Sequence, residues 1–197
     1  MSTPDIDIDC ADRTQLLELL PHRVASISRG DTVERHNTGV YFQPVPTNPL
    51  TGLATVDHRS AGELGYFKVD LLNNSVYQGV RDREHLLALQ QQEPPWQLFE
   101  HAEVVSQLYH INNHTELCAQ MRPTSIEQLA QLLAVIRPAK AHLRGRPWSE
   151  VAHSVWTPPT DGRYHFKRAH AIAFATVIVV QLNLIIESLQ HDQDMPS

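Results

Sequence analysis

The stretch Asp5-Ile6-Asp7-Ile8-Asp9 constrains the fold of this chain more than any other. Its acids and isoleucines alternate with period 2. In a strand, successive side chains leave on opposite faces, so three carboxylates share one face and two isoleucines the other. Such a strand reads in two ways. Charged alternating strands occur at sheet edges, where the charges discourage aggregation. They also hold metal ions. Nucleotidyl transfer needs two divalent cations a few ångströms apart, one lowering the pKa of the attacking hydroxyl and one neutralising the leaving phosphates. Magnesium prefers carboxylate oxygens. An Asp-x-Asp strand with a third Asp on its neighbour brings three carboxylates to one place, because i and i+2 point the same way. Asp7 and Asp9 form such a pair, and Asp70 lies on a second apolar strand over residues 65–72. Lys68 shares the face of Asp70. By spacing alone the solvent-facing edge is the stronger of the two readings.

Elsewhere the texture changes once. Residues 11–20 read as a helix with Leu16, Leu17, Leu19 and Leu20 as its apolar side, ended by Pro21. Residues 33–72 form a β-region, with strands over 40–42, 53–56 and 65–72 and a turn-rich stretch over 44–52. From Gly79 the pattern is helical. Residues 81–92 form one helix, closed by Pro94-Pro95, and 96–120 contain one or two more. Thr124 or Ser125 caps the next, with Glu127 or Gln128 completing a capping box. Ile126, Leu129, Leu132, Leu133 and Ile136 follow at helical spacing until Pro138. Residues 139–163 read as a linker or irregular loop, and a last helix spans about 166–189. The expected fold is α+β: a small mixed sheet over residues 1–80, a helical half over 81–190, and a disordered tail over 191–197.

Composition sets limits. A net charge of -6 argues against an unaided grip on duplex DNA, although a local basic groove remains compatible with it. The two cysteines, Cys10 and Cys118, are too few for a disulfide framework and suit a reducing cytoplasm. The first twelve residues are polar and acidic, so no signal peptide is expected. The apolar run 171–186 is interrupted by Gln181 and Asn183. It falls short of the ~20 residues a membrane span needs, so it reads as a buried core helix. His110 and His114 stand four apart, on one side if helical, with His101 and Glu116 near; polar helix-surface residues are the stronger reading over zinc. Arg144, Arg146, Arg163, Lys167 and Arg168 interleave with Trp148 and Trp156. That suits contact with single-stranded nucleic acid or a solvated loop whose tryptophans join the core.

Five segments, in order, resemble the bacterial DNA polymerase III α subunit, the C-family replicative polymerases. PDIDIDC from Pro4 resembles that family's Pro-Asp-x-Asp-x-Asp-Phe strand, with Arg13 where the family often has an arginine. Arg35-His36-Asn37-Thr38-Gly39-Val40 resembles His-Ala-Gly-Gly-Val, and DHRSAGELGYFKVD, ending at Asp70, resembles the stretch closing in Lys-Phe-Asp-Phe-Leu-Gly. MRPTSIEQLAQLLAVIRP resembles the finger-region helix that ends in Arg-Pro-Gly. HFKRAHAIAFATVIVVQLNL resembles the Phe-Asn-Lys-Ser-His-Ala helix. The resemblance implies a palm domain in which Asp7, Asp9 and Asp70 bind two Mg²⁺ ions and are the catalytic acids, with Asp5 supporting. It makes Lys68, Arg137, Lys167 and His170 contacts to the substrate.

The departures bear on function. The family's Gly-Ser phosphate-binding segment, thumb, most of the fingers, clamp-binding tail and OB-fold have no counterpart. Asn73 replaces a glycine, His165 an asparagine and Arg168 a serine. The resemblance therefore implies a reduced or split DNA polymerase module, phage-like, cytoplasmic and not membrane-bound. It would act on primer-template and dNTP, with a second polymerase chain or replication proteins as partner. The alternative is a non-catalytic accessory module, derived from the polymerase, that binds DNA or the replisome.

Overall fold

The structure, a computed structural model, describes residues 6–160 and 163–194, the side chains of 192–194 excepted. Asp5 lies outside the described residues. The chain divides into two compact units, Met1–Gln78 and Gly79–Ser197.

The first unit is built on a five-stranded mixed sheet of order β1-β5-β3-β2-β4. Its strands are β1 (Ile6–Cys10), β2 (Arg23–Arg29), β3 (Thr32–Tyr41), β4 (Leu53–Asp57) and β5 (Val69–Asn73). β1 runs parallel to its neighbour β5 and β4 parallel to β2; the β5–β3 and β3–β2 pairs are antiparallel. α1 (Arg13–Leu19) begins where Asp12 accepts hydrogen bonds from the backbone of Thr14 and Gln15. α2 (His58–Glu63) begins at Asp57, which accepts from Arg59 N–H. Two apolar clusters form. Val40, Val69 and Leu71 pack with Ile6, Cys10, Leu16 and Leu17. Ala25, Tyr41, Val45, Ala54 and Ala61 pack with Val56 and Tyr66. Val40 and Tyr41 are consecutive yet belong to different clusters, as strand alternation requires.

Three expectations change here. β2 takes the place of undefined chain between the first helix and the β-region. Its signal was the two-residue Gly30-Asp31 loop between paired Arg29 and Thr32, with Gly30 at φ 62. Of the four leucines assigned to the apolar side of α1, Leu16 and Leu17 pack, while Leu19 is 79% exposed and Leu20 has left the helix. The short α2 occupies a stretch of the β-region.

In the second unit, α3 (Arg83–Gln91), α4 (Ala102–Val105), α5 (Thr115–Met121), α6 (Ile126–Val135), α7 (Trp148–Ser154) and α8 (Arg168–Asp194) surround one core. That core includes Phe99, Leu108, Ile111, Leu129, Leu132, Leu133, Ile178 and Leu182, all buried. Ser125 caps α6 by accepting from Gln128 N–H. The Gln128 side chain reaches back past the cap to Thr124 N–H at 2.9 Å, so the first half of the expected capping box is present and the returning bond falls one residue before the cap.

Residues 139–163 are not a loop throughout: a 3-10 turn over Pro138–Leu143 and then α7 occupy much of that stretch. Buried Lys140 ties the two together, donating to the carbonyls of Ser154 and Thr157, each at 2.7 Å. Residues 191–194 continue α8 rather than opening a tail, and 195–197 lie outside the described residues. By length and composition alone, α8 is long and apolar enough to cross a membrane. Its two interrupting polar residues are both engaged within the unit. Gln181 accepts from Tyr109 N–H and donates to Gln107 C=O, while Asn183 donates to the carbonyls of Leu89, in the last turn of α3, and of Gln92, which follows it.

Candidate functional site

The register of the β1–β5 pair builds the site. Asp7 lies directly opposite Asp70, and Asp9 opposite Leu72. In a parallel pair, facing residues point to the same side, and neighbouring strands stand about 4.8 Å apart. Ile6, Cys10, Val69 and Leu71 fill the apolar cluster on one face, so Asp7, Asp9 and Asp70 share the other. Lys68, two residues before Asp70, joins that side.

The three acids are not equivalent. Asp7 is exposed and Asp9 half-buried, with Asp9 accepting a hydrogen bond from Asn74 Nδ2 at 3.1 Å. Asp70 is 7% exposed, and both its oxygens are engaged. Oδ1 accepts from Thr38 Oγ1 at 2.7 Å, and Oδ2 from the Lys68 ammonium in an ion pair. Burial pushes the Asp70 carboxyl up, but the Lys68 and Thr38 hydrogen bonds with the Lys68 charge outweigh it and hold the group below the usual carboxylate range.

Gly39 makes this packing feasible. It sits opposite Asp70 on β3, and a Cβ there would lie 2.8 Å from Lys68 Cδ and 2.9 Å from His36 Nδ1. His36 Nδ1 accepts the Gly39 N–H at 2.9 Å, which leaves its lone pair turned to the backbone. It also stands 3.7 Å from Asp70 Oδ1.

Two residues next to the acids have roles that spacing did not disclose. Asn73 accepts the first N–H of α1, from Arg13, at 2.7 Å. Asn74 holds Asp9 through its side chain and bonds Cys10 C=O through its backbone N–H at 2.9 Å. Asn73 ends β5 and Asn74 follows it into the turn, where Asn is ordinary turn chemistry. Asp57 plays a comparable part at the other end of the sheet. It accepts from Ser28 N–H at 2.7 Å and Arg59 N–H at 2.9 Å, and these bonds, against the opposing effect of burial, hold its carboxyl below the usual range.

The remaining candidates, Arg137, Lys167 and His170, belong to the second unit. The Arg137 guanidinium lies 5.0 Å from the Phe166 ring centroid and 3.4 Å from His110 Nδ1. Lys167 is exposed just before α8, and His170 lies exposed in its first turn. His110 and His114 do not share a helix face. His110 has φ 60 in a loop, and His114 is the residue before α5. Trp148 and Trp156 pack against the core, and Arg144 donates to Ile136 C=O at 2.9 Å, so the basic, tryptophan-bearing stretch is in part structural. Burial pushes the Cys118 thiol up to about 12, which leaves it inert.

Hard carboxylate oxygens suit magnesium. As they stand, however, the three acids do not close on a point. Among the described residues no group of three or more His, Cys, Asp or Glu is placed to hold a metal ion. Both Asp70 oxygens already have protein partners, Thr38 at Oδ1 and the Lys68 ammonium at Oδ2. Comparison with known proteins gave no match to a family model, a curated protein or a solved structure.

Proposed function

We propose that this chain is a reduced DNA polymerase III α-like module that carries the acids for template-directed nucleotidyl transfer. The observation that carries this reading is the β1–β5 register, which sets Asp7 against Asp70 across 63 residues of chain with Asp9 on the same face. A solvent-facing edge accounts for Asp7 and Asp9. It does not account for an acid paired opposite them on the interior strand β5, 7% exposed and held by Lys68 and Thr38.

In this reading Asp7, Asp9 and Asp70 hold two Mg²⁺ ions, which when bound supply the activation of the primer 3′ hydroxyl and the charge neutralisation that phosphoryl transfer requires. Asp7 and Asp9 form the open side of the site. Asn74 fixes the Asp9 carboxylate, and Thr38 fixes that of Asp70. When Lys68 releases Asp70, its ammonium is a cation for a substrate phosphate. Arg137, Lys167 and His170 are proposed substrate contacts by the same resemblance. The chain works in the cytoplasm, off the membrane, on primer-template and dNTP, beside a second polymerase chain or replication proteins that complete it.

A second reading has its own observation. With both Asp70 oxygens taken by Lys68 and Thr38, the acid face is closed as it stands. That favours a non-catalytic accessory module, derived from the polymerase, that binds DNA or the replisome.

Primer extension with the purified chain, dNTPs and Mg²⁺ or Mn²⁺ tests the first reading, beside an Asp7→Asn/Asp9→Asn double variant. Extension in the wild type and a loss of about a thousandfold or more in the variant is the expected outcome. Manganese binding is followed in parallel by electron paramagnetic resonance. A folded wild type that binds no manganese at millimolar concentration and extends no primer would sink the enzyme reading and leave the accessory one.

A further inference from the structure

Asp70 is held at both carboxylate oxygens, and its two partners differ in how freely they can leave. Thr38 holds Oδ1 through a short β-branched side chain on β3, whose rotamer is restricted. Lys68 holds Oδ2 through a flexible four-carbon stem from the residue just before β5. That stem lies against Gly39. A Cβ there would stand 2.8 Å from Lys68 Cδ, so the slot exists because residue 39 has no side chain. In it the pair is largely out of water, with the Lys68 and Asp70 side chains 13% and 11% exposed.

A pair so placed changes partners only in a matched way. Taking the ammonium away by itself leaves the Asp70 carboxylate uncompensated where water hardly reaches, which is costly. A divalent cation at Oδ2 replaces the lost charge and repels the ammonium. The displaced ammonium then needs an anion, and a phosphate oxyanion supplies one, since lysine binds phosphate as a point charge. Each ligand removes the cost that the other incurs. They therefore bind more tightly together than apart, by the same factor whichever comes first.

We propose that the Lys68–Asp70 ion pair is an autoinhibitory latch on the acid face, opened jointly by a divalent cation at Asp70 Oδ2 and a phosphate oxyanion at the Lys68 ammonium. The latch rests on the reading of Asp7, Asp9 and Asp70 as metal ligands and adds regulation to it. The acid face binds metal weakly until phosphate takes Lys68, so that cation and phosphate-bearing substrate load together. It also accounts for the absence, among the described residues, of a group of acids already placed around an ion.

Manganese binding to the full chain, followed by electron paramagnetic resonance, tests this. Lys68→Met should tighten binding about tenfold or more, and Lys68→Met/Asp70→Asn should lose that gain. Inorganic phosphate, corrected by a protein-free titration for the manganese it holds itself, should tighten binding to the wild type about fivefold or more and leave Lys68→Met unchanged. Because Lys68→Met strands Asp70, a circular-dichroism melt checks its fold, and a second readout uses the wild type alone. The chain has three lysines, Lys68, Lys140 and Lys167. In acylation mapped by mass spectrometry, exposed Lys167 should react quickly and buried Lys140 slowly, while Lys68 changes from slow to fast on saturation with Mg²⁺. Manganese bound by the wild type with Lys68 still protected overturns the latch and spares the metal reading. So does a Lys68→Met affinity no tighter than that of the wild type, the result a purely structural ion pair would give. An equal response to phosphate in both forms removes phosphate as the second ligand and overturns the joint opening. No manganese bound by either form overturns the latch and the metal reading together.

Discussion

The two units are stabilised in different ways. The second has one large apolar core in which Leu129, Leu132, Leu133, Ile178 and Leu182 are fully buried. The first divides its apolar residues between two small clusters on opposite faces of a sheet, and it buries an ion pair, Lys68–Asp70. Apolar burial stabilises without directional demands. A buried ion pair stabilises only while every partner is in place, since desolvation costs are large and one lost partner leaves the other uncompensated. The first unit therefore exchanges robustness for a charged face, while the second rests chiefly on its apolar core, with buried Lys140 held by backbone carbonyls.

Leu132→Ala should produce the largest effect. A cavity at a fully buried leucine costs about 3 kcal/mol. Trp96, Trp148 and Trp156 are the only tryptophans, and all lie in the second unit, so urea unfolding followed by tryptophan fluorescence reads that unit directly. A shift below about 1 kcal/mol would mean that its core is less tightly packed than the burial implies.

Asp70→Asn comes next, at about 2 kcal/mol, less than a fully buried broken pair because both side chains keep slight contact with water. Hydrogen exchange of the Val69, Asp70 and Leu71 amides reports it locally. The sharper comparison is Lys68→Met/Asp70→Asn, which should recover protection relative to Asp70→Asn alone by removing the stranded ammonium. No recovery would show that the ion pair is not what Asp70 contributes.

Acid gives the smallest contrast. Asp57 and Asp70 both titrate below the usual carboxylate range when folded. Their contribution is complete above the unfolded value near 4 and is lost as pH falls through the lower folded values. Amides of β5 should thus lose protection as pH falls below the ordinary carboxylate value, by an amount Asp70→Asn reduces, while amides of α6 change little. Equal loss in both would erase the distinction between the units.

Much of this molecule is legible in the chain. Alternation in β1, the Ser125–Gln128 cap of α6 and the length of α8 are local signals, and local geometry answers to local sequence. The missed elements had weak local signals: β2 is announced only by the Gly30-Asp31 loop, and α7 follows a Pro- and Gly-rich approach that mimics a linker. In the site, the acids and Lys68 are legible because carboxylates at period 2 are rare outside edges and metal sites. Thr38, Asn73, Asn74 and Gly39 are not, since each matters only through what lies across the sheet.

By itself, the sequence determined that three acids sit on strand faces, that an α+β fold follows, and that an apolar helix closes the described chain, because side-chain periodicity is a property of consecutive residues; the strand expected over 65–72 begins only at Val69, which leaves Lys68 just before it. Only the tertiary structure decided that Asp7 faces Asp70 and that Lys68 and Thr38 hold Asp70 closed. Strand register and hydrogen-bond partnership depend on which distant segments meet, and no run of neighbours along the chain encodes that.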